Sequence, residues 1–456
     1  MNILIVGAGI VGFNLAQELS HEGHDISIID ADAQKIKVIS EKLDVLAIQG
    51  NGCLPSTLLQ ARIRDAEMVI AVTDKDEINL MVCFLAHKFD VKERFARLRN
   101  MELTGASQVF KPQELFVDHA INPAEIIIDS IIKIIKTPGA INVAEFAQGQ
   151  ILFRGFDVPA DAPLAGKSIE EIRELCEMNS FLVVAIVREG KLIIPKYENR
   201  IEAGDKIYVL MDDDFLPLVL PMLNRKADEI QKVIIYGASR IAVNLARELD
   251  EFIDDVSIIE PDLGKANEAA GILEHATVLH GSGTDPDLFN DINMKDADLF
   301  LSLSKDDEMN ILSALLAKKH GARRAVVITS DPDYLPILDS IGMDVTINPR
   351  LITVSEILKH LRKGQVVNLY KLVEGEAEVL EIVPNADSAA VGKRINQLHM
   401  PEQSIIGAVL RKDGEMIIPG GSTEILEGDT VIVVTLPDCI GKIEKIFGKK
   451  TSFLSG

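Results

Sequence analysis

The sequence predicts an α/β protein built from two doubly wound parallel sheets, each followed by a small α+β module. Three observations lead there. Short β-branched runs alternate with amphipathic helices, the pattern then changes to closely spaced strands, and the whole arrangement occurs twice. The chain has 456 residues, too many for one typical core. It is 47% hydrophobic and 26% charged, which supports globular folding and excludes disorder as a class.

In the first part the expected strands are 2–6, 26–30, 46–49, 68–73, 95–98 and 115–117. Helical patterns such as 11–21 and 77–88 lie between them. Strands alternating with helices make a parallel, doubly wound sheet. After Lys136-Thr-Pro-Gly139 the expected strands are 142–146, 151–158, 182–188, 192–195 and 206–210, with a short helix near 168–175. Glu189-Gly190 and Gly204-Asp205 are hairpin signals between the later strands. This second part is a module of about eighty residues, small for a domain.

The unit then repeats. Residues 3–19 return as 233–249 with eight of 17 positions identical. Ser27-Ile-Ile-Asp30 matches Ser257-Ile-Ile-Glu260, Gly50-Asn-Gly52 matches Gly281-Ser-Gly283, and Asn79 matches Asn310. Asn122-Pro123 pairs with Asn348-Pro349, Ala165-Gly-Lys167 with Val391-Gly-Lys393, and Gly204-Asp205 with Gly428-Asp429. The expected order is therefore a sheet domain at 1–123, a module at 140–225, a second sheet domain at 230–348 and a second module at 365–450.

Charge and cysteine usage narrow the function. Lys and Arg number 47 against 70 Asp and Glu, a net charge of −23, which repels phosphate backbones and anionic headgroups. No nucleic-acid partner is expected. Cys53, Cys83, Cys176 and Cys439 lie far apart, without a CxxC or a histidine at ligand spacing, and read as buried structural thiols with no metal site. The N-terminus enters an apolar strand without a basic leader, so a cytoplasmic protein is expected. The most apolar stretch, 124–136, is shorter than the ~20 residues of a membrane span. Glu125, Asp129, Lys133 and Lys136 form one polar stripe on it, so the helix is buried from more than one side. It is either a core helix or, the sharper reading, a helix packed on another subunit. The helices after Asn122-Pro123 and Asn348-Pro349 are thus expected to join a homo-oligomer.

The chemistry-bearing motif is Gly7-Ala8-Gly9-Ile10-Val11-Gly12, a GxGxxG that directly follows a strand and opens a helix. Gly7 permits the tight turn, Gly9 lets backbone approach a pyrophosphate, and Gly12 lets helix pack on strand, the arrangement of a Rossmann-like fold. The helix N-terminus offers N–H groups and a positive dipole end to the anion. Asp30, ending the second strand, is expected to accept from adenosine ribose hydroxyls and to repel a 2′-phosphate. NAD(H) should therefore bind in preference to NADP(H). An acid at this spacing has no evident structural need, which favours the binding reading. Asn51 and Gly52 follow the third strand, Thr73 and Asp74 end the fourth, and Arg97 lies near the end of the fifth, all at the C-terminal edge where ligands bind.

The second copy departs from this pattern. Gly237-Ala238-Ser239-Arg240-Ile241-Ala242 keeps the first glycine and replaces the other two, while Glu260 retains the carboxylate. Ser239 adds a side chain where a pyrophosphate comes close, and Arg240 offers a side-chain phosphate contact. The second site is weaker, altered or merely structural; it takes ATP/ADP, NAD or nothing. Neither half carries a HExxH, GxSxG or Walker A motif, and the nine histidines form no constellation with Lys, Tyr or Cys. A nucleotide fold without assembled acid–base chemistry points to sensing. The alternatives are an NAD-dependent oxidoreductase of unknown substrate and a nucleotide-bound scaffold.

The chain resembles the RCK (KTN) family of cytoplasmic potassium-transport regulators. The carriers are the Gly7–Gly12 loop with Asp30, Gln49-Gly-Asn-Gly52, Val72-Thr-Asp74 with Asn79, Ala96-Arg97, and Asn122-Pro123 before an amphipathic helix. Leu164-Ala-Gly-Lys167 and Ala203-Gly-Asp205 match the family's C-terminal module type. The resemblance implies a non-enzymatic regulatory subunit, peripheral on the inner face of the cell membrane. It further implies a homo-oligomeric ring (dimer or tetramer) that gates a membrane potassium-translocating subunit in response to NAD(H) and ATP or ADP.

Overall fold

A computed structural model describes residues 1–104, 111–137, 139–175, 181–212, 215–224, 230–361, 366–372 and 377–448. The first sheet domain contains β1 (Asn2–Val6), α1 (Ile10–His21), β2 (Asp25–Asp30), α2 (Ala33–Lys42), β3 (Leu46–Gln49) and α3 (Pro55–Gln60). It continues with β4 (Met68–Ala71), α4 (Asp76–Lys88), β5 (Glu93–Arg97), β6 (His119–Ile121) and α5 (Pro123–Lys136). The strands are parallel in the order 3-2-1-4-5-6, so the strand order reverses between β1 and β4. Helices cover both faces, which is why β1 and β4 are near-continuous apolar runs with no alternation.

The first module contains β7 (Asn142–Phe146), β8 (Ile151–Asp157), α6 (Ile169–Leu175), β9 (Phe181–Arg188), β10 (Lys191–Ile193), β11 (Lys206–Met211) and α7 (Leu216–Met222). Its sheet is antiparallel in the order 10-9-11-8-7. The second sheet domain repeats the first: β12 (Lys232–Tyr236), α8 (Arg240–Leu249), β13 (Asp255–Glu260), α9 (Leu263–Ile272), β14 (Thr277–His280) and α10 (Pro286–Asp291). Then come β15 (Leu299–Ser302), α11 (Asp307–Lys319), β16 (Arg324–Ile328), α12 (Leu335–Ser340), β17 (Val345–Ile347) and α13 (Pro349–Leu361). The strand order 14-13-12-15-16-17 is the same. The second module has β18 (Val366–Lys371), β19 (Glu378–Ile382), β20 (Ser404–Leu410), β21 (Met416–Ile417), β22 (Thr430–Thr435) and α14 (Ile440–Phe447), with the corresponding antiparallel order 18-19-22-20-21.

The chain divides into two compact units. One combines both sheet domains (Met1–Asp129 with Gln231–Leu358), the other both modules (Ser130–Ile230 with Lys359–Gly456). In the module unit the two halves share one apolar core, in which Phe153, Tyr208 and Leu210 lie with Val379, Ala408 and Val434. Gly407 is required there, since a Cβ would come within 2.4 Å of Leu210 Cδ1. Asn142 Nδ2 donates to the Tyr370 hydroxyl at 3.3 Å across the same joint.

Three expectations are corrected. The sixth strand is not 115–117: Pro112–Leu115 is a 3-10 turn, and Phe116 adopts a left-handed φ of +61° that ends extended chain there. Arg94 then fixes the segment, its Nε donating to Phe116 O and its Nη2 to Asp118 Oδ1, each at 2.9 Å, and pairing starts at His119. Next, a single chain covers much of the apolar girth of α5, while Ile126 and Ile132 stay half-buried. Ile127 and Ile131 are fully buried and Ile135 is 4% exposed within a single chain. Finally, Cys83 and Cys439 are buried as expected, but Cys53 is only half-buried; Cys176 lies outside the described residues. Burial pushes the Cys83 thiol up to about 12, which leaves it unreactive.

Gly204-Asp205 proves to be more than a turn. Asp205 is 1% exposed and forms a two-pronged ion pair with Arg188, Nε–Oδ1 and Nη2–Oδ2 both at 2.8 Å. It also accepts from the Glu202 N–H at 2.7 Å. Arg411 and Asp429 repeat the pair in the second module. Asp205→Ala leaves the half-buried Arg188 with only Glu202 and the Arg200 carbonyl and removes the acceptor of the Glu202 N–H, so we expect a loss of about 3 kcal/mol of stability, read as a lower denaturant midpoint by circular dichroism.

Candidate nucleotide-binding site

Three glycines shape the loop between β1 and α1, each for a different reason. Gly7 has φ +111°, and a Cβ would meet the Thr73 backbone N at 2.9 Å. Gly12 sits so close to the preceding turn that a Cβ would lie 1.8 Å from the Gly7 carbonyl oxygen. At Gly9 a Cβ would meet nothing within 4 Å. Gly7 and Gly12 therefore serve the fold, while Gly9 borders open space. Gly9 is also the N-cap of α1, with no side chain to accept from its first N–H groups. An uncapped helix start facing open space is a site for an anion.

Asp30 has a structural role that the spacing did not reveal. Its Oδ2 accepts from the Ala8 N–H at 2.7 Å and its Oδ1 from the Asp32 N–H at 2.8 Å. One carboxylate thus ties the β1–α1 loop to the β2–α2 loop. Each oxygen keeps a further lone pair for a ribose hydroxyl.

The loop opens on a cleft of about 870 Å³, within the range of cofactor sites. Gly7, Ala8, Gly9, Ile10 and Val11 line it, as do Asp30, Asn51 and Gly52. Thr73, Asp74 and Arg97 complete the sequence-derived set; Gly12 lies behind, packing α1 on β1. Asn51 Oδ1 accepts from the Cys53 N–H at 2.9 Å, and a Cβ at Gly52 would meet Val6 Cγ1 at 2.5 Å.

Asn79 holds the opposite wall. Fully buried, it donates to Thr73 O (3.2 Å) and Arg97 O (2.7 Å), and its Oδ1 accepts from the Thr73 N–H (3.0 Å) and hydroxyl (2.7 Å). The amide joins the ends of β4 and β5, which is why it recurs as Asn310 in the second copy. Among the lining residues that escaped the sequence reading are Asn14, Lys35, Arg99 and Arg350. Arg99 was detectable, two residues beyond Arg97. Arg350 belongs to the second sheet domain, and no local pattern brings it here.

The second copy differs at the same positions. Glu260 reproduces the clasp, accepting from Ala238 N–H at 2.6 Å and Asp262 N–H at 2.9 Å, and it is buried. Gly237 keeps φ +92°. Ser239, however, caps α8 itself, its Oγ accepting from the Ala242 N–H at 3.2 Å. Tyr236 replaces Val6 at the floor, and its ring lies where a Cβ on Gly283 would approach to 2.4 Å. Arg240 is exposed and Ile241 half-buried. The second helix start is internally capped where the first is open.

Two Rossmann-type sheets with paired antiparallel modules define a tandem protein of the RCK fold class. The TrkA-N domain model matches residues 3–123 and 233–349, and the TrkA-C domain model matches 153–220 and 379–448. The chain is 34% identical over 461 residues to the Trk system potassium uptake protein TrkA of Haemophilus influenzae, covering 100% of both chains. It is 32% identical to the protein of the same name from Halomonas elongata, covering 98% of each. A structure of the GsuK channel bound to NAD shares the fold, with a TM-score of 0.61 at 16% identity over 98% of this chain and 78% of that one. The chain belongs to the TrkA family of potassium uptake proteins. Membership in that family makes it a regulatory protein rather than an enzyme.

Gly9→Ala should leave the unfolding midpoint nearly unchanged. Gly12→Ala should cost roughly 1–3 kcal/mol through overpacking, a contrast that thermal melts of the two variants resolve.

Proposed function

We propose that this chain regulates a Trk-type potassium uptake system by binding NAD(H) in the first sheet domain and gating a membrane potassium-translocating subunit of the TrkH/TrkG-like type. The observation that carries this is the open, uncapped start of α1 beside the Asp30 carboxylate in a cleft of cofactor size. The pyrophosphate lies over Gly9, and the adenosine ribose hydroxyls reach Asp30. Thr73 and Asp74 border the remainder of the dinucleotide, and Arg97 faces its phosphates. The second site, with Gly237, Ala238, Ser239, Arg240, Ile241 and Glu260, is the weaker one. It takes ATP/ADP or NAD in an altered pose, or stays empty. The four parts, 1–123, 140–225, 230–348 and 365–450, then work as two sheet domains and two modules.

No helix among the described residues is long and apolar enough to cross a membrane. On this reading the chain acts from the inner face of the cell membrane on its translocating partner, as a homo-oligomer. A ring of identical subunits adds the small bias of each bound nucleotide. Tenfold preference for one ring state is worth about 1.4 kcal/mol per site, so four equivalent sites sum to nearly 6, enough to move a population from mostly closed to mostly open.

Two outcomes are expected. In calorimetry NADH binds at least tenfold more tightly than NADPH, because Asp30 repels the 2′-phosphate, and Gly9→Asp removes binding by putting a carboxylate over the pyrophosphate position. Asp30→Ala is a poorer probe, since it also releases the two loops. In vesicles carrying the membrane subunit, potassium flux changes with nucleotide when the wild type is added and not when Gly9→Asp is added. Flux indifferent to nucleotide, despite confirmed complex formation, contradicts the regulatory reading.

A further inference from the structure

The first-repeat cleft is not built by the first repeat alone. Pro332 and Arg350, both from the second sheet domain, line it together with Arg97 and Arg99. Arg350 is the second residue of α13, anchored by its N–H to Asn348 Oδ1 at 3.0 Å. Three guanidinium groups thus converge on one cleft in a chain whose net charge is −23. Among the described residues no carboxylate lies within ion-pair distance of any of them, and the buried Nε of Arg97 has no hydrogen-bond partner. Burial first, then the charges of Arg99 and Arg350, pull Arg97 down to about 10, against the opposing pull of Asp76 and Asp74. Asp74 and Asp76 offset this charge only from beyond ion-pair distance, and three guanidinium groups at this density are costly unless an anion joins them directly.

The repeat supplies an internal control. The register of β5 against β16 places Ile328 at the position of Arg97 and Ser330 at that of Arg99. The Asn-Pro motif places Ala124 at the position of Arg350. All three arginines belong to one site, and none has a counterpart in the other copy. An incidental surface charge pattern would not respect the repeat in this way.

We infer that Arg350 of the second repeat joins Arg97 and Arg99 in an anion subsite of the first-repeat cleft, so that one nucleotide phosphate group is held by both sheet domains at once. This rests on the nucleotide reading of the cleft and adds to it a contact across the two repeats. Binding then fastens the two sheet domains together, and the ligand's phosphates, not its base or ribose, are what the second repeat reads.

The test compares NADH, ADP and adenosine binding to the full-length wild type, Arg350→Gln and Arg350→Lys by calorimetry. The expected result for Arg350→Gln is a 10- to 100-fold loss of NADH or ADP affinity, the usual range for a hydrogen bond between charged groups. Adenosine affinity is unchanged, and Arg350→Lys recovers part of the loss. Equal melting temperatures of the unliganded proteins exclude a folding defect; in the wild type NADH raises that temperature more than in Arg350→Gln. NADH and ADP affinities unchanged in Arg350→Gln, with binding still abolished by Gly9→Asp, overturn the cross-repeat subsite and leave the nucleotide site standing. Absence of nucleotide binding to the wild type overturns both.

Discussion

The sheet domains depend on a carboxylate at the end of the second strand. In each copy it accepts one N–H from the glycine loop and one from the loop after itself, Asp30 in the first and Glu260 in the second. That clasp brings two βα loops to a fixed separation beside the point where the strand order reverses. The helix start, the cleft floor and the arginine-bearing wall are all positioned relative to it. Charge-assisted bonds to backbone N–H groups are stronger than neutral ones, which suits an element that must survive ligand exchange.

Given the clasp, a single side chain decides what each helix start does. Gly9 leaves the first N–H groups of α1 uncapped and the space before them empty. Ser239 fills the same role in α8 with its own hydroxyl. Duplication therefore retained the scaffold twice and the open anion position once. The charges follow the same division, since the three arginines of the first cleft meet Ile328, Ser330 and Ala124 at the corresponding places. The proposed division of labour between a sensing copy and a supporting copy grows out of these four substitutions.

Most of the fold was legible because period and repeat are strong signals. The apolar runs of β1 and β4 and the spacing of α1 and α4 place the first sheet to within a few residues. The misses have physical causes. The apolar run at 115–117 looked like a strand, yet Phe116 turns left-handed; the repeat itself held the answer, since β17 (Val345–Ile347) aligns with His119–Ile121. Helix α7 was hidden by Pro217 and Pro221, which sit in its first turn and near its end. Helix α5 looked like an intersubunit element because its girth exceeds one sheet face, and the chain covers most of that girth internally, leaving Ile126 and Ile132 half-buried. At the site, the steric roles of Gly7 and Gly12 followed from the motif. The clasp of Asp30, the wall held by Asn79 and the arrival of Arg350 did not, since each depends on which backbone groups and domains come together in three dimensions.

If the duplicated fold carries one open dinucleotide site per chain, as proposed, the stoichiometry of NADH binding reports it. Equilibrium dialysis of the intact protein at saturating NADH should give one tightly bound molecule per chain, lost on replacing Gly9 with Asp and unaffected by Ser239→Ala. Two equivalent tight sites per chain, or one that disappears with changes at Ser239 and Arg240 but not at Gly9, would contradict the account.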